Sequence, residues 1–235
     1  MKLYGQFCPL AQATQVLCER WTLLIVRELI AGSTRFSELQ KGVPLMSPTL
    51  LSTRLKQLAS SGVIEINGTK GNTTYNLTPA GHELRSVVEL LGAWGHRWAR
   101  SSLSTEDLDA GLLMWDMRRT IDPSIFPDHR IVVEFKYKDA PKGAQNWWLV
   151  SEHGVIDLCL TDTGYDVDII IECSLKVMTE VWICQRSFKE TVEQGDIRVM
   201  GDPKLTHKLQ DWLRSSPLSK LGTIEQLPTL DWGAG

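Results

Sequence analysis

Cysteine is scarce here. The five cysteines (Cys8, Cys18, Cys159, Cys173 and Cys184) are odd in number and show no Cys-x-x-Cys spacing, so neither a disulfide framework nor a zinc site is expected. Apolar runs are short as well. The longest near the N-terminus, Trp21 with residues 23–26, stops at Arg27-Glu28, far below the ~20 residues that span a bilayer. The opening MKLYGQFCPLAQATQ has one early lysine and no apolar run before polar residues intervene, unlike a secretory leader. A cytoplasmic protein with no membrane partner is therefore expected. The histidines (His82, His96, His129, His153, His207) are scattered, without His-x-x-His or His-Glu-x-x-His spacing, and no glycine-rich phosphate loop or Gly-x-Ser-x-Gly elbow occurs. Asp166 and Asp168 share one face of a strand, where paired acids are usually solvated. No enzyme, metal or cofactor is expected. The most telling absence is local: between Lys41 and Ser60 there is no acidic residue.

What is present suggests two domains. A chain of 235 residues, 43% hydrophobic and 23% charged, has enough apolar residues for two cores and no disordered signature. The net charge of −3 hides an asymmetry. Residues 1–104 carry 11 Lys and Arg against 6 Asp and Glu, whereas residues 105–235 carry 14 against 22. A net of +5 suits a polyanion and a net of −8 is repelled by one, so contact with DNA belongs to the first half.

Apolar residues recur at helical spacing from Ala11 to Ile30, and Gly32 ends that helix. A short second helix follows around Phe36 and Leu39. Ser47-Pro48 then supplies an N-cap and a first-turn proline for a helix over 49–60. Beyond Gly62 the period changes: Val63, Ile64 and Ile66 lead through the turn cluster 67–72 into a second strand, 73–78, which makes a β-hairpin. Thr78-Pro79 opens a helix to about Trp98. Helix, helix, helix, hairpin, helix is the order of a winged helix.

On the helix over 49–60, Leu51, Leu55 and Leu58 share the face to be buried. Thr49, Ser52, Thr53, Lys56 and Ser60 share the opposite one, a short, polar, acid-free surface able to approach base edges closely. Simple solubility also accounts for a Ser/Thr-rich face taken alone. The adjoining hairpin tip, with Lys70, Asn72 and Thr73, suits contact with a neighbouring phosphate or minor groove. Arg54 flanks the core and either reaches a phosphate or packs its stem on the domain. The candidate DNA contacts are Arg35, Ser47, Thr49, Ser52, Thr53, Arg54, Lys56, Lys70, Asn72 and Thr73.

Residues 8–98 resemble the HxlR family of bacterial transcriptional regulators, a winged-helix group related to MarR. The matching pieces are Cys8-Pro9, Trp21-Thr22-Leu23-Leu24-Ile25 with Arg27-Glu28-Leu29, Arg35-Phe36-Ser37-Glu38-Leu39, Ser47-Pro48 with Leu51-Ser52 and Arg54-Leu55, Leu58, Gly62-Val63-Ile64, and Tyr75-Asn76-Leu77-Thr78 with Gly81. The wing is shorter than is usual in the family. The resemblance implies a homodimer built from the N-terminal segment and the last helix of the domain, with Leu10, Trp94 and Trp98 as its apolar contacts. Two-fold pairing onto an inverted repeat also follows physically, because one recognition helix reads too few base pairs. Some relatives use the position of Cys8 as an oxidation sensor. Here no base adjoins Cys8 in sequence, though Arg20 can approach it, and a structural role is the alternative.

Ser101-Ser102-Leu103-Ser104-Thr105 reads as a linker. After it come a helix (108–119), strands over 131–137, 146–150, 155–160 and 167–173, helices over 175–183 and 188–193, a strand over 197–200 and a helix over 203–213. Strands before helices indicate an α+β fold with a mostly antiparallel sheet. The run from Phe188 to Pro203 resembles the C-terminal part of the sterol-carrier-protein (type 2) lipid-binding domain, which implies an apolar cavity. Met114, Trp115, Phe135, Trp148, Met178 and Trp182 are then its candidate lining, or else plain core. Adjacent Trp147 and Trp148 must point to opposite faces of their strand.

The expected organisation is a DNA-binding and dimerisation domain over 1–100 and a sterol-carrier-like domain over 107–216. The expected function is transcriptional regulation by a homodimer on an inverted-repeat operator, nucleoid-associated when bound, and modulated by an apolar small molecule or lipid. The alternatives are a lipid or small-molecule binding protein whose second domain is the active part, and a Cys8 redox regulator whose second domain is purely structural.

Overall fold

The computed structural model describes residues 4–69, 71–99, 103–209, 213 and 215–220. The chain separates into two compact units, the first ending at Glu89 and the second beginning at Leu90. The division falls inside one long helix.

The first unit contains α1 (Pro9–Leu17), α2 (Thr22–Ile30), α3 (Phe36–Gly42), α4 (Pro48–Ser60), β1 (Ile64–Asn67), β2 (Thr74–Leu77) and the start of α5 (Pro79–Trp98). The single helix expected over 11–30 is two helices. Its apolar spacing continues across the break, so periodicity alone cannot reveal it. Trp21 is the reason: its backbone is left-handed, with φ of 78°, a conformation that costs an L-residue ~1–2 kcal/mol and cannot continue a right-handed helix. The other elements begin within two residues of their expected starts. Ile25, Leu39, Leu51, Leu55 and Leu58 are almost wholly buried in one apolar core with Val26, Met46 and Ile64. β1 and β2 pair antiparallel, Ile64 opposite Leu77 and Asn67 opposite Thr74.

The second unit holds α6 (Ala110–Thr120), β3 (Ile131–Tyr137), β4 (Asn146–Glu152), β5 (Val155–Cys159), β6 (Ile169–Cys173), α7 (Leu175–Trp182), α8 (Phe188–Glu193), β7 (Arg198–Gly201) and α9 (Pro203–Thr206). Its five-stranded sheet runs β5-β4-β3-β6-β7. The sheet is mixed, where a mostly antiparallel one was expected: β3 and β6, its central pair, lie parallel, Val133 beside Ile169 and Tyr137 beside Cys173. The physical reason is connectivity. The β4–β5 hairpin occupies one side of β3, and the chain returns along the other side in the same direction. The expected closing helix over 203–213 is interrupted after Thr206 and Leu209 is helical again; residues 210–212 lie outside the described residues.

Phe135, Met114, Met178 and Trp182 are all buried. They are packed in one core with Trp147, Leu149 and Ile171, where the Tyr137 hydroxyl donates to the Met114 sulfur at 3.0 Å. Trp115 and Trp148 are buried too but stand outside that cluster. Trp147 faces the core and its neighbour Trp148 does not, as strand alternation requires. An open groove of ≈ 550 Å³ lies elsewhere, between Phe188, Lys189 and Val192 of α8, Val199 of β7, and His207 and Leu209.

Candidate nucleic-acid interface

The surface is built from α4 outward. The Ser47 hydroxyl accepts the Leu50 N–H at 3.3 Å and Pro48 occupies the first turn, so one of the first-turn N–H groups that has no intrahelical acceptor is satisfied. With Leu51, Leu55 and Leu58 sunk in the core, Thr49, Thr53 and Lys56 stand exposed and Ser52 is half-buried. The Thr53 hydroxyl donates to the Thr49 carbonyl at 3.0 Å, so its oxygen retains acceptor capacity toward solvent.

The turn in front of α4 is braced from α3. Gln40 Nε2 donates to the Met46 carbonyl at 2.7 Å and to the Val43 carbonyl at 3.3 Å. At the other end of α3, Glu38 Oε2 accepts the backbone N–H groups of Thr34 and Arg35, both at 2.9 Å. Behind it, the buried Glu28 carboxylate takes Arg27 Nη2 at 2.8 Å, and the same nitrogen donates to the Gly42 carbonyl at 2.9 Å.

Two of the candidate DNA contacts have partners within the chain. Arg54 is turned into the domain: its guanidinium donates to Glu19 at 2.8 Å, to Gln57 at 2.6 Å and to the Arg20 carbonyl at 3.3 Å. It therefore ties α4 to the break between α1 and α2. Arg35, exposed at the start of α3, donates to the Asn72 side-chain oxygen at 2.6 Å and to the Thr73 carbonyl at 3.4 Å. Lys70 lies outside the described residues. Glu19, Glu38 and Gln40 were not singled out from sequence. Glu28 had a signal, an acid inside an otherwise apolar helical stripe.

The apolar candidates for association are open to solvent. Leu10 on α1 is 66% exposed, and Trp94 and Trp98 on α5 are 52% and 70% exposed. Val87 and Leu91, at helical spacing from them, extend the stripe. Cys8 precedes α1 at its N-cap and is exposed. Among the described residues no group of three His, Cys, Asp or Glu side chains comes together in a way that could hold a metal ion, and no described helix is long and apolar enough to cross a membrane.

A family model described as HxlR-like helix-turn-helix matches residues 16–103. The HTH-type transcriptional regulator YvaP of Bacillus subtilis (strain 168) is 36% identical over 98 residues, covering 40% of this chain and 91% of that protein. The chain belongs to the HxlR-like helix-turn-helix family. Another member-like relative, the HTH-type transcriptional regulator YodB of the same bacterium, is 32% identical over 95 residues, covering 39% of this chain and 85% of its own. The crystal structure of quinone-bound YodB from B. subtilis aligns with 39% of this chain and all of that one, at 31% identity and a TM-score of 0.35. Within this HxlR-type chain, the matched segment contains α2–α5 and both strands of the wing.

Proposed function

We propose that this HxlR-type transcriptional regulator binds an inverted-repeat duplex site as a homodimer, with α4 in the major groove and the wing on the flanking backbone. The observation that carries the reading is the acid-free face of exposed Thr49, Thr53 and Lys56 with half-buried Ser52, set opposite the buried leucines of α4. Such a face allows close approach to base edges and repels no phosphate. Leu10, Trp94 and Trp98 supply the apolar dimer contacts. DNA binding and dimerisation are assigned to residues 1–100, and residues 107–216 to a sterol-carrier-like module that tunes the dimer. Selection from random duplex with the full-length chain tests this directly. An enriched two-fold-symmetric site with steep salt dependence is expected. The absence of any enrichment or heparin retention refutes it and favours a lipid or small-molecule carrier.

An apolar ligand acts only if its affinity differs between DNA-competent and incompetent states. The groove between α8 and β7, where Phe188, Val192, Val199 and Leu209 are joined by Lys189, Glu193, Thr206 and His207, supports an amphipathic site there, since Met114, Phe135, Met178 and Trp182 already fill a core. Native mass spectrometry of the purified protein reads out a retained lipid. The exposure of Cys8 favours one second reading, a redox-responsive regulator with a structural second module. In that case mild peroxide abolishes DNA binding and Cys8→Ser makes binding resistant.

A further inference from the structure

We infer that Arg35 is a positioning residue that fixes the wing relative to α4; this rests on the reading of the first unit as DNA-binding. The described residues of the wing tip are held close together. Asn72 N–H donates to the Thr69 carbonyl at 2.8 Å, the Thr73 hydroxyl donates to the same carbonyl at 3.2 Å, and Gly68 and Gly71 both have φ of 92°. A Cβ at Gly68 would stand 2.2 Å from the Asn72 carbonyl oxygen, so the two arms of the tip close on each other. A two-stranded hairpin of this size is only marginally stable alone, and its direction must come from elsewhere.

It comes from the start of α3. Tyr75 N–H donates to the Thr34 carbonyl at 2.9 Å, one residue before Arg35. Arg35 then reaches 37 residues along the chain to the Asn72 amide oxygen and the Thr73 carbonyl. Glu38 locks the Thr34–Arg35 backbone, and Gln40 in the same helix holds the turn leading into α4. Thus α3 is a strut, with the wing fastened at one end and the start of the recognition helix at the other. The acceptors are a neutral amide and a carbonyl, so the tether leaves the arginine's positive charge uncompensated beside the tip. A carboxylate at position 72 would accept the same hydrogen bond and cancel that charge.

The test uses the full-length chain and the variants Arg35→Ala, Asn72→Ala, Asn72→Asp and the double alanine variant. Hydrogen exchange of the wing amides comes first, because it needs no DNA. Asn72→Ala, which loses one hydrogen bond, and Arg35→Ala, which loses that one and the longer bond to Thr73, should each accelerate exchange over residues 71–76 by about two- to tenfold, while Asn72→Asp retains wild-type protection. Unchanged exchange in Arg35→Ala overturns the proposal. Binding to random duplex DNA, and to sites selected from it, should weaken about two- to tenfold in each alanine variant, with no further loss in the double variant. The log–log salt slope of Asn72→Ala should equal that of the wild type. If Asn72→Ala binds normally while Arg35→Ala loses affinity and about one unit of slope, Arg35 is a direct phosphate contact and the proposal falls. If the exchange results hold but wild-type protein binds no DNA, the tether stands and the DNA reading fails.

Discussion

At the scale of single residues, close approach and burial set the strongest constraints. Gly81 opens α5 against the backbone of the wing: a Cβ there would stand 2.1 Å from the Val63 carbonyl oxygen, which already accepts the Thr78 backbone N–H and side-chain hydroxyl, both at 3.1 Å. Since a carbonyl in a strand junction cannot swing aside, Gly81→Ala should destabilise the first unit by about 1–3 kcal/mol, the usual cost of overpacking. A urea denaturation midpoint unchanged from wild type would refute this. Cysteine chemistry divides along the same line. Burial, with the neighbouring charges of Asp139 and Glu172, pushes the Cys173 thiol up to about 12, so at neutral pH it holds its proton and cannot act as a nucleophile. Alkylation of the native protein should label Cys8, Cys18 and Cys184, all exposed, and reach Cys173 only after unfolding. Native labelling of Cys173 would contradict the packing described here.

At the scale of the element, α4 separates two cations that look equivalent in sequence. Lys56 lies on the exposed face; Arg54 is half-buried, its guanidinium hydrogen-bonded to Glu19, Gln57 and the Arg20 carbonyl. Lys56→Glu should weaken binding to every duplex sequence and flatten the salt slope by about one unit or more. An unchanged slope would remove Lys56 from the phosphate contacts. Arg54→Ala should instead lower the unfolding free energy by about 1 kcal/mol or more for lost charge-assisted hydrogen bonds, seen as a lower urea midpoint, with the salt slope of the folded protein intact. A reversed pattern in the two variants would exchange their roles. The same tether closes over the break between α1 and α2. Trp21 leaves the helical conformation, and the Arg20 carbonyl freed there is taken up by Arg54.

For the whole molecule, association is the quantity to measure. Two tryptophans more than half exposed on one helix, with Val87 and Leu91 in the same stripe, make an apolar surface of the kind that marks a contact with another chain. Trp94→Glu combined with Trp98→Glu should convert the proposed dimer to a monomer in sedimentation and reduce operator affinity by more than tenfold, because each half-site alone supplies only part of the contact energy. A variant that still sediments as a dimer would place the interface elsewhere.

The sequence by itself determined the element order of the first unit, the buried leucines of α4 and the acid-free outer face, because helical period and capping residues act locally. It also placed β3 and α8 to the residue, since an apolar run and a Ser-capped helix carry their own boundaries. Only the tertiary structure decided that β3 and β6 run parallel, that Met114, Phe135, Met178 and Trp182 fill a core, and that Arg54 and Arg35 are occupied by partners 34 to 38 residues away. Those outcomes depend on which segments meet after the chain turns back, and a side chain's partner across such a distance leaves no trace in the pattern around it.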